Sequence, residues 1–313
     1  MTKRLGCGCS LKLLIILGIV VLALTLISFI GGTVGAIIRG GEALPIFSVH
    51  PPHPELPGGY PFPNLPITNT MIAAWTSILV LFLLFFVGTR KMKLVPTGLQ
   101  SFVESFYEVA ADFIEDAAGR KYGRWFFPIC ATIFLFVIAN AWIGLVPGFE
   151  TITMNGVPLL RNPNTDVNVC LALAVVAVVS VEFWGLKAKG ISYLKTFFNF
   201  GPLGRGFKQL FTGKIKAGFS GIFNGIVVAF AGLLEILSHL IRLVSFTFRL
   251  FGNMTAGAIL TLIIIFLVPL VIPVIFYGLE GFFGFVQAMI FGGLTLGFAC
   301  AAVMEEEEVM EEG

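Results

Sequence analysis

The chain has 313 residues, of which 57% are hydrophobic and only 12% charged, and its mean hydropathy is +0.95. A soluble domain carries roughly twice that share of charge, so the composition excludes a soluble globular protein and indicates a polytopic membrane protein. The net charge of +2 says little, whereas the placement of charge along the chain says a great deal.

A bilayer span needs about 20 apolar residues. The first candidate is 13–38, preceded by Lys3, Arg4 and Lys12. It is long for a signal peptide and favours a retained anchor, although Val34-Gly35-Ala36 also fits a cleavage site. Residues 39–69 follow, rich in Pro and Gly (Pro51-Pro52, Pro54, Pro57-Gly-Gly59), and read as an extracytoplasmic loop without regular structure. The second span is 70–89. In 97–117, Leu99, Phe102, Val103, Phe106, Ala110, Phe113, Ile114 and Ala117 recur at helical spacing, with Glu104, Glu108 and Asp112 opposite them. That pattern predicts an amphipathic helix, either lying along the cytoplasmic interface or packed on a partner subunit. Further spans follow at 126–147 and 167–186. The long apolar region 221–303 is interrupted by Pro269 and Pro273, which divide it into a tilted hairpin of 221–267 and 274–303. The expected fold is therefore an all-α membrane protein of five to six transmembrane helices. Its units are 1–69 (anchor or signal plus loop), 70–303 (membrane domain) and 304–313, an acidic tail.

Orientation follows from Lys and Arg. The connections around 90–93, 120–124 and 187–216, together with the N-terminus, hold 16 of the 20 basic residues. The opposite loops hold only Arg39 and Arg161, so both termini are expected on the cytoplasmic side. The five cysteines show no metal or redox spacing beyond Cys7-Gly-Cys9, to which no role is assigned; Cys130, Cys170 and Cys300 read as small buried hydrophobes. His50, His53 and His239 form no ligand set, and there is no nucleotide-binding loop or nucleophile motif. No metal, cofactor or nucleic acid is expected.

Arg249 is the most informative residue. It sits inside the run Leu243-Val-Ser-Phe-Thr-Phe-Arg249-Leu-Phe-Gly-Asn253-Met-Thr-Ala-Gly257, and a guanidinium cannot escape burial by losing its proton. At mid-bilayer such a charge costs roughly 2.5–3.5 kcal/mol on insertion scales. Glu235, His239, Arg242, Arg249, Asn253 and Gly257 fall within an arc of about 80° on a helix, with Glu235 roughly 21 Å from Arg249. The last span adds Glu280 and Gln287, seven residues apart, so two antiparallel helices can present Asn253, Gly257, Glu280 and Gln287 to one another. As a general rule desolvation brings a carboxyl's titration towards neutral pH, which suits a proton relay better than a fixed-charge pore. Bland roles stand beside these: snorkelling for Arg242 and Glu235, packing for His239, helix–helix hydrogen bonding for Asn253 and Gln287, and backbone bonding for Ser238 and Ser245. Glycines 252, 257, 281, 284, 292 and 293 read as close-packing positions.

The run Arg249-Leu-Phe-Gly-Asn-Met-Thr-Ala-Gly257 resembles the signature of subunit a of the F-type ATP synthase. Leu234-Glu-Ile-Leu-Ser-His, Glu280 with Gln287, Arg90-Lys-Met-Lys-Leu-Val-Pro-Thr-Gly-Leu-Gln100 and the Asn140-Ala-Trp-Ile-Gly-Leu-Val-Pro-Gly148 stretch extend the likeness over roughly 70–303. The resemblance implies a membrane stator facing a c-ring, with peripheral-stalk b subunits as further partners, in a bacterial plasma membrane. It implies that Arg249 separates two proton half-channels, one using Asn253, Glu280 and Gln287 and the other opening near Glu235 and Ser238. Two departures from the family pattern are Ala258, where many relatives carry an ionisable residue, and the absence of a proline near Leu240 or Ile241. The rival reading is a stand-alone secondary transporter or channel with a buried Arg site. That rival predicts inverted repeats and broken helices, and the sequence shows neither.

Overall fold

The computed structural model describes residues 11–40, 58–62, 65–146, 149, 152–193, 197, 201, 204–205 and 215–304. Cys7, Cys9, His50, His53, most of the 39–69 loop, Lys195, Lys208, Lys214 and the acidic tail lie outside them. The helices are α1 (Leu11–Gly31), α2 (Thr33–Arg39), α3 (Asn69–Thr89), α4 (Leu99–Gly144), α5 (Val167–Lys189), α6 (Ile215–Leu267) and α7 (Ile272–Met304). Of these, α3 to α7 are long and apolar enough to cross a membrane, and α1 adds a further apolar helix. The molecule is an all-α membrane protein, and its helices follow the expected spans closely.

Two of those expectations are refined. The first apolar run is not one helix: the chain breaks at Gly32, between α1 and α2. The amphipathic helix and the span after it are joined in α4, which bends at Gly119 (φ 71°, ψ 159°). Only glycine adopts that region of backbone space readily. The bend folds the first part of α4 back on the second: Tyr107 meets Phe127 with ring centroids 4.8 Å apart, and Phe106 stacks on Phe134 at 6.0 Å. Part of its apolar stripe therefore covers α3 and its own continuation, with Val103, Ile114 and Ala118 buried, while Leu99, Phe102 and Phe113 stay exposed.

Water supplies no driving force for helix association inside a bilayer, so tight packing has to do it. Around the centre, Ile133, Val137 and Ala141 of α4, Cys170, Ala174 and Ala177 of α5, Phe246, Leu250 and Met254 of α6, and Ala288 and Phe291 of α7 form one core. Small residues from α4, α5 and α7 receive the bulky side chains of α6. A second core joins Ile114, Phe126, Trp184, Leu296 and Val303. Among the glycines of the hairpin, Gly284 lies closest to a neighbour: a Cβ there would be 2.6 Å from that of Ala141. Gly252 and Gly293 have open space instead, so the close-packing expectation fails for those two within this chain.

The end of the bundle that holds the α6–α7 turn is closed by polar contacts. Asp166 caps α5 by accepting from Asn168 N at 2.9 Å, and the Thr70 hydroxyl of α3 donates to the same carboxylate at 2.6 Å. Asn164 donates to the Val137 carbonyl of α4 at 3.0 Å. A small antiparallel hairpin, β1 (Thr153–Met154) and β2 (Val157–Pro158), turns on Asn155-Gly156, both with positive φ, the geometry that Asn-Gly pairs favour.

Two substitutions test this account of the fold. Gly119→Ala forces a side chain into the bend at about 1–3 kcal/mol. The thermal midpoint of the solubilised protein is expected to fall, while Gly18→Ala, with nothing within 4 Å, should hold or raise it. Gly284→Ala overpacks the α4–α7 contact at about 1–3 kcal/mol, whereas Gly293→Ala should be neutral or mildly stabilising in the same melt. Equal midpoints for Gly284→Ala and Gly293→Ala would refute the close contact.

Candidate functional site

The polar stripe runs along α6, and the two helices beside it, α5 and α7, divide it into sections. Arg249 is exposed on the outer surface of α6, where its Nη2 donates to Ser245 Oγ of the preceding turn at 3.3 Å. Around it the outward face carries Val244, Phe248, Gly252, Asn253, Ala256 and Leu260. Among the described residues no carboxylate lies within ion-pair distance of Arg249. The charge points away from the chain's own core, which on this side is sealed by the buried Phe246, Leu250 and Met254.

Towards the α6–α7 turn, the hairpin brings together the four residues expected to meet. Asn253 Nδ2 donates to Gln287 Oε1 at 3.5 Å. Glu280 is buried against Gly257, where an added Cβ would lie 3.6 Å from its Cγ. Thr261, one turn beyond Gly257, donates to Glu280 Oε2 at 3.0 Å. Sequence reasoning missed Thr261, although its i, i+4 relation to Gly257 puts it on the same face. Gln287 is buried and its Nε2 has no hydrogen-bond partner among the described residues, so the amide keeps its donors uncommitted beside Asn253.

On the opposite side of Arg249 lies a second group, and one of its members was also missed. His239 Nδ1 is 2.5 Å from Glu182 Oε1 of α5, and His239 Nε2 is 3.3 Å from Glu235 Oε1. Tyr193, in the 3-10 turn after α5, donates to Glu182 Oε2 at 3.0 Å. Burial and the neighbouring Glu182 hold the Tyr193 phenol above its usual range, so it remains a donor. The Arg242 guanidinium lies 3.7 Å over the Phe298 ring of α7, a cation–π contact that takes it beyond simple snorkelling. Ser238 is exposed on the same stretch of α6. The signal for Glu182 was available: an ionisable residue inside the apolar run Val179-Ser-Val-Glu182-Phe-Trp is a functional candidate by default.

The arrangement thus comprises one outward-facing fixed cation, a buried carboxylic acid with hydroxyl and amide neighbours on one side of it, and a His–carboxylate group on the other. Carboxyl, imidazole, hydroxyl and amide groups in this arrangement are chemically able to bind and exchange protons.

Comparison with known proteins identifies the family. The family model described as ATP synthase A chain matches residues 71–299. A protein of Gloeobacter violaceus named ATP synthase subunit a is 32% identical over 242 residues, covering 77% of this chain and 85% of that protein. Proteins of the same name from Campylobacter hominis and from Helicobacter pylori strain P12 are 31% and 30% identical, with 92% of each covered. The matched region takes in nearly all of α3, the whole of α4 to α6 and most of α7, including Arg249 and Glu280. The chain therefore belongs to the family of ATP synthase subunit a, a multi-pass membrane component of the ATP synthase complex.

Proposed function

We propose that this chain is the non-catalytic, proton-translocating stator subunit of a rotary F-type ATP synthase, with Arg249 standing between two half-channels that serve the c-ring. The outward exposure of Arg249, with no carboxylate of the described residues to neutralise it, carries this reading. A permanent cation at bilayer depth needs an anionic partner, and the small neighbours Gly252 and Ala256 leave room for a second helix to approach. A carboxylate presented by each rotor subunit in turn meets that need.

The chemistry follows from charge. Beside a guanidinium a carboxylate is stabilised in its ionised form, so a rotor site arriving at Arg249 releases its proton, and a hydronium ion is repelled from the same place. The two pathways then cannot short-circuit. On the extracytoplasmic side, Glu280 with Thr261, Asn253 and Gln287 delivers protons; on the cytoplasmic side they leave past Glu235 and Ser238. A rotor carboxylate neutralised by Glu280's pathway can turn into lipid and return to the cytoplasmic pathway after nearly a full turn. The excess of Lys and Arg in the 90–93, 120–124 and 187–216 connections supports this orientation in a bacterial plasma membrane, with the C-terminus cytoplasmic. The outer faces of α3 and the first part of α4 remain for peripheral-stalk b subunits and lipid. Residues 70–303 act as the membrane domain, flanked by the 1–69 segment and the acidic tail.

ATP-driven acidification of vesicles carrying the assembled complex tests the assignment. Arg249→Ala is expected to abolish acidification with the complex intact, and Arg249→Lys to restore little of it, because a lysine can lose its proton when desolvated. Sustained pumping by Arg249→Ala would make the arginine structural and overturn the proposal. In the same assay Glu280→Gln, which keeps the shape but removes the exchangeable proton, should slow pumping roughly tenfold or more. Glu280→Asp should retain part of the rate.

A further inference from the structure

The group around His239 shows a second device. We infer that Glu182, His239 and Glu235 form one proton wire at the cytoplasmic side of the stator, with the imidazole passing protons between carboxylates on two different helices. The inference rests on the stator reading above and names the residue of α5 that this reading lacks.

Both ring nitrogens of His239 lie near carboxylate oxygens, Glu182 at 2.5 Å and Glu235 at 3.3 Å; the Glu182 contact is short but not aligned as a hydrogen bond, so transfer along it requires the ring to turn into line. A neutral imidazole has one donor and one acceptor, and an ionised carboxylate only accepts. Two such contacts therefore need two protons: either the ring is a cation between two carboxylates, or it is neutral with one carboxyl protonated. These two states differ only by the shift of a proton along one short contact. A static ion pair would need one carboxylate; the second one turns the pair into a line with two ends.

The surroundings suit transfer. The His239 side chain is 15% exposed, while Glu182 and Glu235 are 31% and 45% exposed, so the ring is shielded and both ends reach outward. The groups facing it are Glu182 from α5, Glu235 and Arg242 from α6, and Tyr193 behind Glu182. The Phe197 ring closes one side with its centroid 5.2 Å away. On the α7 side Phe298 lies beneath Arg242 and offers no carboxylate. Arg242 partly offsets the excess negative charge of the group, and Tyr193 fixes the second Glu182 oxygen. His239 stands ten residues, about 15 Å, from Arg249 along α6.

The step balances. A proton on the Glu182 carboxyl passes to His239 Nδ1, the Nε2 proton passes to Glu235, and Glu235 releases it to water. Glu182 is then ready to accept the next proton, and the imidazole resets by turning about its Cβ–Cγ bond. The reverse sequence serves ATP-driven pumping, in which protons enter from the cytoplasmic face.

Inverted membrane vesicles, whose cytoplasmic face is the outer medium, test the wire on the complete complex. Glu182→Gln and His239→Gln should each lower pumping per assembled complex roughly tenfold or more. The double variant should be no slower than the slower single one, since both act on one path. Glu182→Asp should recover part of the rate, and imidazole in the outer medium should partly rescue His239→Ala. Normal rates and an unchanged dependence on outer pH in Glu182→Gln, with Arg249→Ala inactive, would overturn the wire and leave the stator reading intact. Pumping by Arg249→Ala would remove the reading on which the wire rests. Loss of assembly in the size-preserving Glu182→Gln would make the pair a structural tie and also overturn the wire.

Discussion

A guanidinium held permanently charged at the depth of a hydrocarbon layer constrains everything around it. Arg249 cannot be neutralised by deprotonation, and the described residues bring it only a serine hydroxyl from its own helix. The chain manages this by placing the charge on its surface rather than in its core. Phe246, Leu250 and Met254, on the other side of α6, are each at most 3% exposed and fill the centre of the bundle. One helix thus carries two opposed faces, one apolar and locked inward, the other charged and turned outward. The rotation of α6 about its axis is the quantity that packing has to fix.

The fixing comes from shape more than from polar bonds. Ala141, Ala174, Ala177 and Ala288 on the surrounding helices leave hollows, and the aromatic and aliphatic side chains of α6 occupy them. Gly284 allows α4 and α7 to approach so closely that a single methyl group has no place. Polar contacts then tune the ends of the stripe. Thr261 and Gln287 sit beside Glu280 and Asn253, while α5 contributes Glu182 to His239. His239, Arg242 and Glu280 thus each meet a side chain of a neighbouring helix, while Arg249 and Glu235 are held by contacts within α6.

Much of this was legible in the sequence because membrane insertion rewards simple patterns. The spans, the turn at Pro269 and Pro273, the amphipathic stripe of 97–117 and the 80° arc on α6 all follow from period and composition. The facing of Asn253, Gly257, Glu280 and Gln287 also followed, since antiparallel helices joined by a short turn allow few registers. What was not legible depended on contacts between helices distant in sequence. Glu182 lies 57 residues from His239 in the numbering, and nothing in either segment announces the other. The backfolding at Gly119 was hidden because glycine is common in membrane helices and only its backbone angles reveal a bend. The small hairpin at Asn155-Gly156 carried a recognised turn pair, masked by the surrounding apolar signal. The roles of Gly252 and Gly293 were misjudged because a small residue looks the same whether it faces a helix of its own chain or none.

The junction of α1 and α2 has a wider meaning for the α6–α7 turn. Ser28 Oγ accepts from Leu270 N at 3.0 Å, and Thr33 Oγ1 donates to Phe266 O at 2.7 Å. Directly after Leu270, Val271 holds a positive φ of 60°, a conformation that a β-branched residue rarely adopts. In lipid, an amide or carbonyl deprived of such a partner has no water to turn to. α1 and α2 thus each supply a hydroxyl that the backbone of the α6–α7 turn needs. An α6–α7 turn held this way is braced from outside its own hairpin, so the tilt of the pair is set partly by a segment more than 200 residues away in the chain.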